Sequence, residues 1–520
     1  MPETTPTSSS PGAPTTGPTS PGSAEPSAGP ATGPAAAPAT GPIADPGGPV
    51  DRYAAFARSG LGRRLVPGLG LPDPVPLRRD APGAPLAPGP VLVTGLVPPD
   101  GTPLVGDAAG VAAAELAAAG ARVVGPDAAG SDAAGGGAGA VAGDERWGGL
   151  VVDATAATSP ADLVGLVGAC TPHLRRLARG AHVVVLGLDP DRLPPGSPAA
   201  VRVAQRALEG FTRSLGKEVG GGRTVQLVLL AEGGVGAMGS TLRFLLSGRS
   251  AFVSGQVVRV GPPVHDLPSG EDARGPRPLA GRRAVVTGAA RGIGAAVAQL
   301  LGARGAHVVC VDVPAAAGDL ATTARAVGGE PLVLDITSDL APGRLAEACE
   351  RLGGVDVVVH NAGITRDRRL RNMRPDAFAS VLDVNVGAPL RLTEHLLGAG
   401  LLGRGGRVVG VSSLAGIAGN DGQTSYAASK AGVIGLVDAL APRAAAAGTT
   451  VNAVAPGFIE TRMTATVPPL TRQLGRRLAS LGQGGLPVDV AEAIAWFAEP
   501  ATAGVHGQVL RVCGQSLLGA

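Results

Sequence analysis

The chain has 520 residues, 44% apolar and only 2% aromatic, with 44 basic and 41 acidic side chains for a net charge of +3. That near balance gives no reason to expect nucleic acid as a partner, and so few aromatics remove the usual base-stacking platforms. The length exceeds what one hydrophobic core holds, so two domains plus some unfolded sequence are expected.

Residues 1–50 are almost wholly Pro, Ala, Gly, Ser and Thr, with no aromatic. Such a stretch cannot bury enough surface to offset the entropy of ordering, so it is expected to be a disordered tail. It has neither a basic start nor an apolar run of signal-peptide length, and no later stretch is long and apolar enough to span a membrane. Cys170, Cys310, Cys349 and Cys513 are far apart and form no metal-ligand spacing. That argues against a disulfide framework and a metal site, and the expected location is the cytoplasm.

Residues 51–85 form an N-terminal segment in which Tyr53, Phe56, Leu61 and Leu65 supply an apolar face over 51–71. It reads either as a docking helix or as a cap on its own domain. From residue 86 to 268, short apolar runs at 91–94, 150–152, 183–186 and 225–229 alternate with Ala- and Leu-rich stretches. The pattern predicts a parallel sheet covered by helices. A Gly-, Pro- and charge-rich linker over 269–278 follows, and from 279 to 520 the pattern recurs, with runs at 284–287, 308–311, 357–359, 408–411 and 451–454.

The two halves share more than class. Gly120-Ala121-Arg122-Val123-Val124 with Asp127 parallels Gly305-Ala306-His307-Val308-Val309 with Asp312, and Gly255-Gln256-Val257-Val258-Arg259-Val260 parallels Gly507-Gln508-Val509-Leu510-Arg511-Val512. Duplication with divergence accounts for the agreement in order; chance likeness of two Ala/Gly/Val-rich units is the alternative.

In the second half, Thr287-Gly288 opens a strand-to-helix turn that continues through Arg291, Gly292, Ile293 and Gly294. Glycines there let backbone amides at a helix start approach a pyrophosphate. Asp312 ends the next predicted strand, where a carboxylate accepts from adenosine ribose hydroxyls and repels a 2′-phosphate. It therefore favours NAD(H) over NADP(H), although Arg291 could pair with that phosphate or be a solvated surface residue. Tyr426 and Lys430 stand at i,i+4, on one face of a predicted helix, where an ammonium would lower the phenol pKa toward acid–base use. Ser413 lies upstream at a strand end, with Asn361-Ala362-Gly363 and Asn385 before it.

Together these residues resemble the short-chain dehydrogenase/reductase family over 279–520. The resemblance implies that Tyr426 is the general acid–base and that Ser413 orients the substrate oxygen. It gives Lys430 the nicotinamide ribose and Asn385 a proton-relay water. Gly288, Arg291, Gly292, Ile293, Gly294, Asp312, Asn361, Ala362, Gly363 and Thr461 would bind the cofactor, Asp335 and Ile336 would contact adenine, and Pro456, Gly457 and Ile459 would flank the nicotinamide. His360 departs from the family's usual asparagine.

Within the family, Ile364-Thr365-Arg366-Asp367, Gly419-Asn420-Asp421-Gly422-Gln423 and Pro456-Gly457-Phe458-Ile459-Glu460-Thr461 look most like 3-oxoacyl-(acyl-carrier-protein) reductases. The two-unit layout and the ending at 511–520 resemble their high-molecular-weight, NADH-preferring form, whose N-terminal domain is flavodoxin-like. The implied architecture is α/β, with two doubly wound, Rossmann-like domains. The implied activity is NADH-dependent reduction of a 3-oxoacyl thioester on coenzyme A or acyl carrier protein, by a homodimer. Another alcohol/ketone pair, or a dinucleotide-binding sensor without turnover, are the alternatives.

The first half is expected to be degenerate. After Thr94-Gly95 the glycine turn is replaced by Leu96-Val97-Pro98-Pro99-Asp100, and Arg202 and Arg206 stand where Tyr426 and Lys430 do in the second. Two basic clusters, Arg366, Arg368, Arg369, Arg371 and Arg374, and Arg462, Arg472, Arg476 and Arg477, either meet coenzyme A phosphates or an acidic carrier, or are solvated faces.

Overall fold

A computed structural model describes residues 52–68, 74–96, 106–125, 145–268, 275–465 and 468–516. The expected tail 1–50, Val97–Asp100 of the altered turn, Asp127, linker residues 269–274 and the end of the chain from 517 lie outside them.

Each β-branched run becomes a strand, as expected where side chains are buried on both faces. The first six are β1 (Val91–Gly95), β2 (Val123–Val124), β3 (Trp147–Asp153), β4 (Leu177–Leu188), β5 (Thr224–Leu230) and β6 (Val257–Val260). They form a parallel sheet in the order β2-β1-β3-β4-β5-β6. The other seven are β7 (Arg283–Thr287), β8 (His307–Asp312), β9 (Glu330–Val333), β10 (Val357–His360), β11 (Arg407–Val411), β12 (Thr450–Pro456) and β13 (Val509–Val512). Their parallel order is β13-β12-β11-β10-β7-β8-β9. The sheets correspond strand for strand except at β9, which has no counterpart among the described residues. The paired sequences found above fall on β2 with β8 and on β6 with β13, and Gly255 and Gly507 share a left-handed φ of 67° and 69°.

Alternation along each strand builds three cores. Val285 and Val358 face one side of the second sheet, and Leu92 and Leu150 face the outer side of the first. Val91, Val184, Val286 and Val512 all face one shared layer between the sheets. That layer holds helices Ala108–Ala118, Gly239–Leu245, Gly292–Ala303 and Pro487–Ala498. Phe244 of the first unit stacks on Trp496 of the second, 4.6 Å between centroids at 4°. Beside them Arg249 and Arg304 both pair with Glu492 and Glu499, at 2.6–3.1 Å. Four nearly buried charges are tolerable because each has two opposite partners. At the sheet edges the Gln508 carboxamide accepts from the Arg259 amide at 2.8 Å and donates to its carbonyl at 2.5 Å.

The N-terminal segment corrects one expectation. It forms two short helices, Arg52–Arg58 and Gly62–Gly68, broken at Ser59. Phe56, Leu61 and Leu65 are exposed, while Ala54, Ala57 and Val66 are buried. A hairpin turns the face expected from one continuous helix outward, and Tyr53 lies against the Arg477 guanidinium, 4.4 Å from its ring centroid. No helix among the described residues is long and apolar enough to cross a membrane, and the four cysteines are free and buried.

Candidate active site

At the carboxyl ends of the second sheet's strands a cavity of about 670 Å³ opens between the glycine turn and the helix carrying Tyr426. This is the switch point of the strand order, where β7 and β10 diverge and where doubly wound sheets bind ligands.

The turn after β7 leads into helix Gly292–Ala303. Gly292 sits at φ 60° with open space on the side where a Cβ would project. A Cβ on Gly294 would collide with the Gly288 carbonyl and the Asn361 side chain. One glycine thus supplies a left-handed bend and the other a close approach. Asn361 fastens the turn from β10's end: its side chain donates to the carbonyls of Thr287 and Gly288, both at 3.0 Å. The Thr287 hydroxyl accepts from the amides of Asn361 and Ala362, both at 3.1 Å. Asp312, ending β8, accepts from the Ala290 amide at 3.0 Å and from the Val313 amide at 2.9 Å, so its carboxylate stiffens the turn as well as facing the cavity. Arg291 is exposed on the cavity wall. Ile336 and Asp335 line its far end, with Asp335 accepting from the Thr337 amide and hydroxyl at 3.0 and 2.7 Å.

Tyr426 and Lys430 lie on helix Thr424–Ala446 and both line the cavity. Ser413 caps the short helix Leu414–Ala418, accepting from the Ala415 amide at 3.2 Å, and its side chain acts to lower the Tyr426 pKa. The expected lowering of the phenol pKa by Lys430 is not found. Burial raises the Tyr426 pKa, with Ser413 acting against it and Asp367 adding to it. The reason is visible in Lys430: its ammonium donates to the Val411 carbonyl at 2.8 Å, and burial pushes its own pKa down to about 8.

Asn385 arrives by a route the sequence hides. A π-turn at Asp383–Gly387 interrupts the helical run between Pro375–Leu382 and Ala388–Gly398 and lets the side chain reach across to Ile364. It also donates to the Ser429 hydroxyl at 2.8 Å, and Ser429 donates to the Tyr426 carbonyl at 2.7 Å. Asn385 is 1% exposed and stands behind the cavity wall.

Of the expected residues, Gly288, Arg291, Gly292, Ile293, Asp312, Asp335, Ile336, Asn361, Ala362, Gly363, Tyr426, Lys430 and Thr461 line the cavity. Gly294, Asn385, Ser413, Pro456, Gly457 and Ile459 are not among the residues that line it. His360 faces the core: its Nε2 meets the Thr393 hydroxyl at 2.7 Å, and burial lowers its pKa to about 4, which keeps it neutral. Arg476, counted above in a basic cluster, is buried and paired with Glu460. Missed from sequence were the roles of Thr287 and Ser429 and the wall positions of Arg462 and Pro487. Thr287 preceding the glycine turn was a usable signal; for Pro487, far along the chain, there was none.

A family model described as enoyl-(acyl carrier protein) reductase matches residues 288–514. A 3-oxoacyl-[acyl-carrier-protein] reductase FabG of Vibrio cholerae is 38% identical over 237 residues, 45% of this chain and 97% of the relative. The FabG reductases of Thermotoga maritima and Pseudomonas aeruginosa are 39% and 40% identical, again over 45% of this chain and 98% and 97% of theirs. With nearly the whole of these relatives spanned by its second unit, the chain belongs to the short-chain dehydrogenase/reductase family.

Proposed function

We propose that the chain is an NADH-dependent reductase of 3-oxoacyl thioesters, acting in fatty-acid metabolism on substrates carried by acyl carrier protein or coenzyme A. The observation that carries the reading is that Tyr426 and Lys430 share one cavity with the glycine turn.

The residues present fit a nicotinamide dinucleotide. Open space beside Gly292 at a helix start suits a pyrophosphate, and Asp312 faces the cavity where an adenosine ribose would lie. Asp335 and Ile336 would take the adenine, Pro456, Gly457 and Ile459 would flank the nicotinamide, and Thr461 would also contact the cofactor. The Asp312 carboxylate would oppose a 2′-phosphate, which favours NADH; exposed Arg291 is the residue that would favour NADPH. Bound there, the reduced nicotinamide supplies the hydrogen and two electrons that the keto carbon takes up.

The chain's own part is proton supply and positioning. A phenol held protonated by burial is the form that donates to a developing alkoxide, and Ser413 hydrogen-bonds the same oxygen. Lys430 would hold the nicotinamide ribose, and Asn385 would hold a relay water that returns the proton to Tyr426.

The first unit we read as a degenerate, flavodoxin-like domain without catalysis, descended by duplication. Its leading strand order, β2-β1-β3-β4-β5, is that of flavodoxin. Leu96, where the second unit has glycine-turn backbone, packs against Gly165. The reading retains the boundaries given above: tail 1–50, docking segment 51–85, first domain 86–268, linker 269–278 and catalytic domain 279–520. It also retains a cytoplasmic homodimer that does not bind nucleic acid. The test is steady-state oxidation of NADH and NADPH with acetoacetyl-coenzyme A and with an acetoacetyl-acyl carrier protein. Turnover preferring NADH supports the proposal; preference for NADPH overturns the cofactor reading, and no turnover with either carrier overturns the substrate reading.

A further inference from the structure

Thr461, Arg462 and Pro487 all line the cavity. They stand at the two ends of an excursion that leaves the sheet after β12 and returns as helix Pro487–Ala498. Its ends are stitched together: the Glu460 amide donates to the Gly485 carbonyl at 2.8 Å, and the Gly485 amide donates to the Phe458 carbonyl at 3.0 Å. Glu460 also pairs with Arg476 at 2.5 Å.

The groups that hold this root come from outside the catalytic unit. Phe252, 1% exposed, accepts from the Gly514 amide at 2.8 Å. Its ring fills the space that a Cβ on Gly485 or Gly514 would need, 2.5 and 2.7 Å from those positions. The Arg79 guanidinium grips both oxygens of Asp489, at 2.8 and 2.9 Å. That carboxylate, 3% exposed, also accepts from the Leu486 amide at 2.7 Å, the residue before Pro487. Gln483 donates to the Val75 carbonyl at 2.7 Å. Gln515 ties both sides: its side chain donates to the Arg213 carbonyl and accepts from the Ser254 hydroxyl, while its carbonyl accepts from the Ser480 amide at 3.1 Å. It does so at φ 58°, a backbone conformation that non-glycine residues rarely adopt and that the surrounding bonds hold.

We infer that Arg79 and Phe252 are positioning residues for the acyl end of the cavity: the first unit and the segment before it fix, within one chain, the wall formed by Thr461, Arg462 and Pro487. They touch neither substrate nor cofactor and set acyl-substrate affinity through that wall. The inference rests on the proposed reading of the site as an acyl-thioester reductase. The Phe244–Trp496 stack and the Arg249 ion pairs with Glu492 and Glu499 join the units at other residues, so loosening the root leaves that junction in place.

The test compares Arg79→Gln, Arg79→Lys and Phe252→Leu with Gln508→Ala, which removes a contact between the units away from the root. For Arg79→Gln and Phe252→Leu the KM for acetoacetyl-coenzyme A rises about tenfold, with kcat within about twofold of the parent and a smaller rise, through Ile459 and Thr461, in the NADH dissociation constant. Arg79→Lys recovers part of the loss, and Gln508→Ala leaves KM unchanged. Amide exchange, which needs no substrate, accelerates at 458–460 and 480–489 in the two root variants and not in the strands of the second sheet. If the parent shows no turnover, the functional reading fails while exchange still decides the root contact. Unchanged exchange at the root, or KM, kcat and NADH binding all shifting together, overturns the inference.

Discussion

The Asn385 side chain clasps Ile364 by both of that residue's backbone groups: its oxygen accepts from the Ile364 amide at 2.8 Å and its nitrogen donates to the Ile364 carbonyl at 3.0 Å. This clasp fixes the stretch of cavity wall at Gly363–Thr365, and it exists because a π-turn displaces one residue from the helical ladder.

Replacing Asn385 with leucine is therefore predicted to do two things. It leaves the Ile364 backbone groups without their partner, costing about 1–3 kcal/mol of stability. It also lowers kcat by roughly a hundredfold or more, the range for a lost proton-transfer group. Urea unfolding and steady-state kinetics measure the two effects separately; full turnover in a destabilised variant contradicts the role given to Asn385.

Cofactor choice is predicted to follow Asp312. Asp312→Ser removes the carboxylate that would face a 2′-phosphate while keeping a group able to accept from the Ala290 amide. The ratio of kcat/KM for NADH to that for NADPH falls by at least about tenfold, the equivalent of 1.4 kcal/mol. An unchanged ratio contradicts the assignment, and a compensating shift in Arg291→Ala identifies the arginine as the residue that decides.

The pH dependence follows from Lys430. Its folded pKa of about 8 lies below its ordinary 10.5, because burial penalises the ammonium. Between those values the unfolded chain binds more protons, so stability rises with pH through that window, and burial of the charge is a full cost below about 8. Lys430→Met is then predicted to stabilise the protein at pH 7 by more than it does at pH 10, as read by thermal unfolding. In the parent, kcat/KM falls as pH rises through about 8 and the ammonium is lost; a level profile from pH 7 to 10 contradicts this.

Much of this site was legible in the sequence because its parts are local. The glycine turn, Asp312 at a strand end and the Tyr426/Lys430 spacing each sit inside one strand–turn–helix unit, where periodicity and residue type carry the geometry. Nine strands were legible for the same reason; β2, β6 and β13 entered only as repeated sequences, and β9 was missed because Glu330 and Pro331 at a half-exposed edge break the apolar run. What was hidden depended on long-range packing. The burial that raises the Tyr426 pKa, the π-turn under Asn385 and the Arg79–Asp489 pair all join residues whose proximity no spacing announces. The hairpin at Ser59 failed differently: two short helices carry the apolar residues of one long helix on different faces.

The junction between the units is predicted to be strongly coupled through its ion pairs. Arg249→Met leaves Glu492 and Glu499 sharing Arg304 alone in a site where all four groups are nearly buried. The loss is about 3–5 kcal/mol, the cost of breaking a buried pair from one side. A fall in the urea midpoint corresponding to less than about 1 kcal/mol would place the pairs among surface-like bridges instead.

The central claim, that the Tyr426 phenol delivers the proton in a reductase site, is tested most directly by Tyr426→Phe, measured for NADH binding by fluorescence and for turnover of acetoacetyl-coenzyme A at 340 nm. The account predicts NADH binding close to that of the parent with turnover lost. Turnover surviving at the parent's rate in this variant would contradict it.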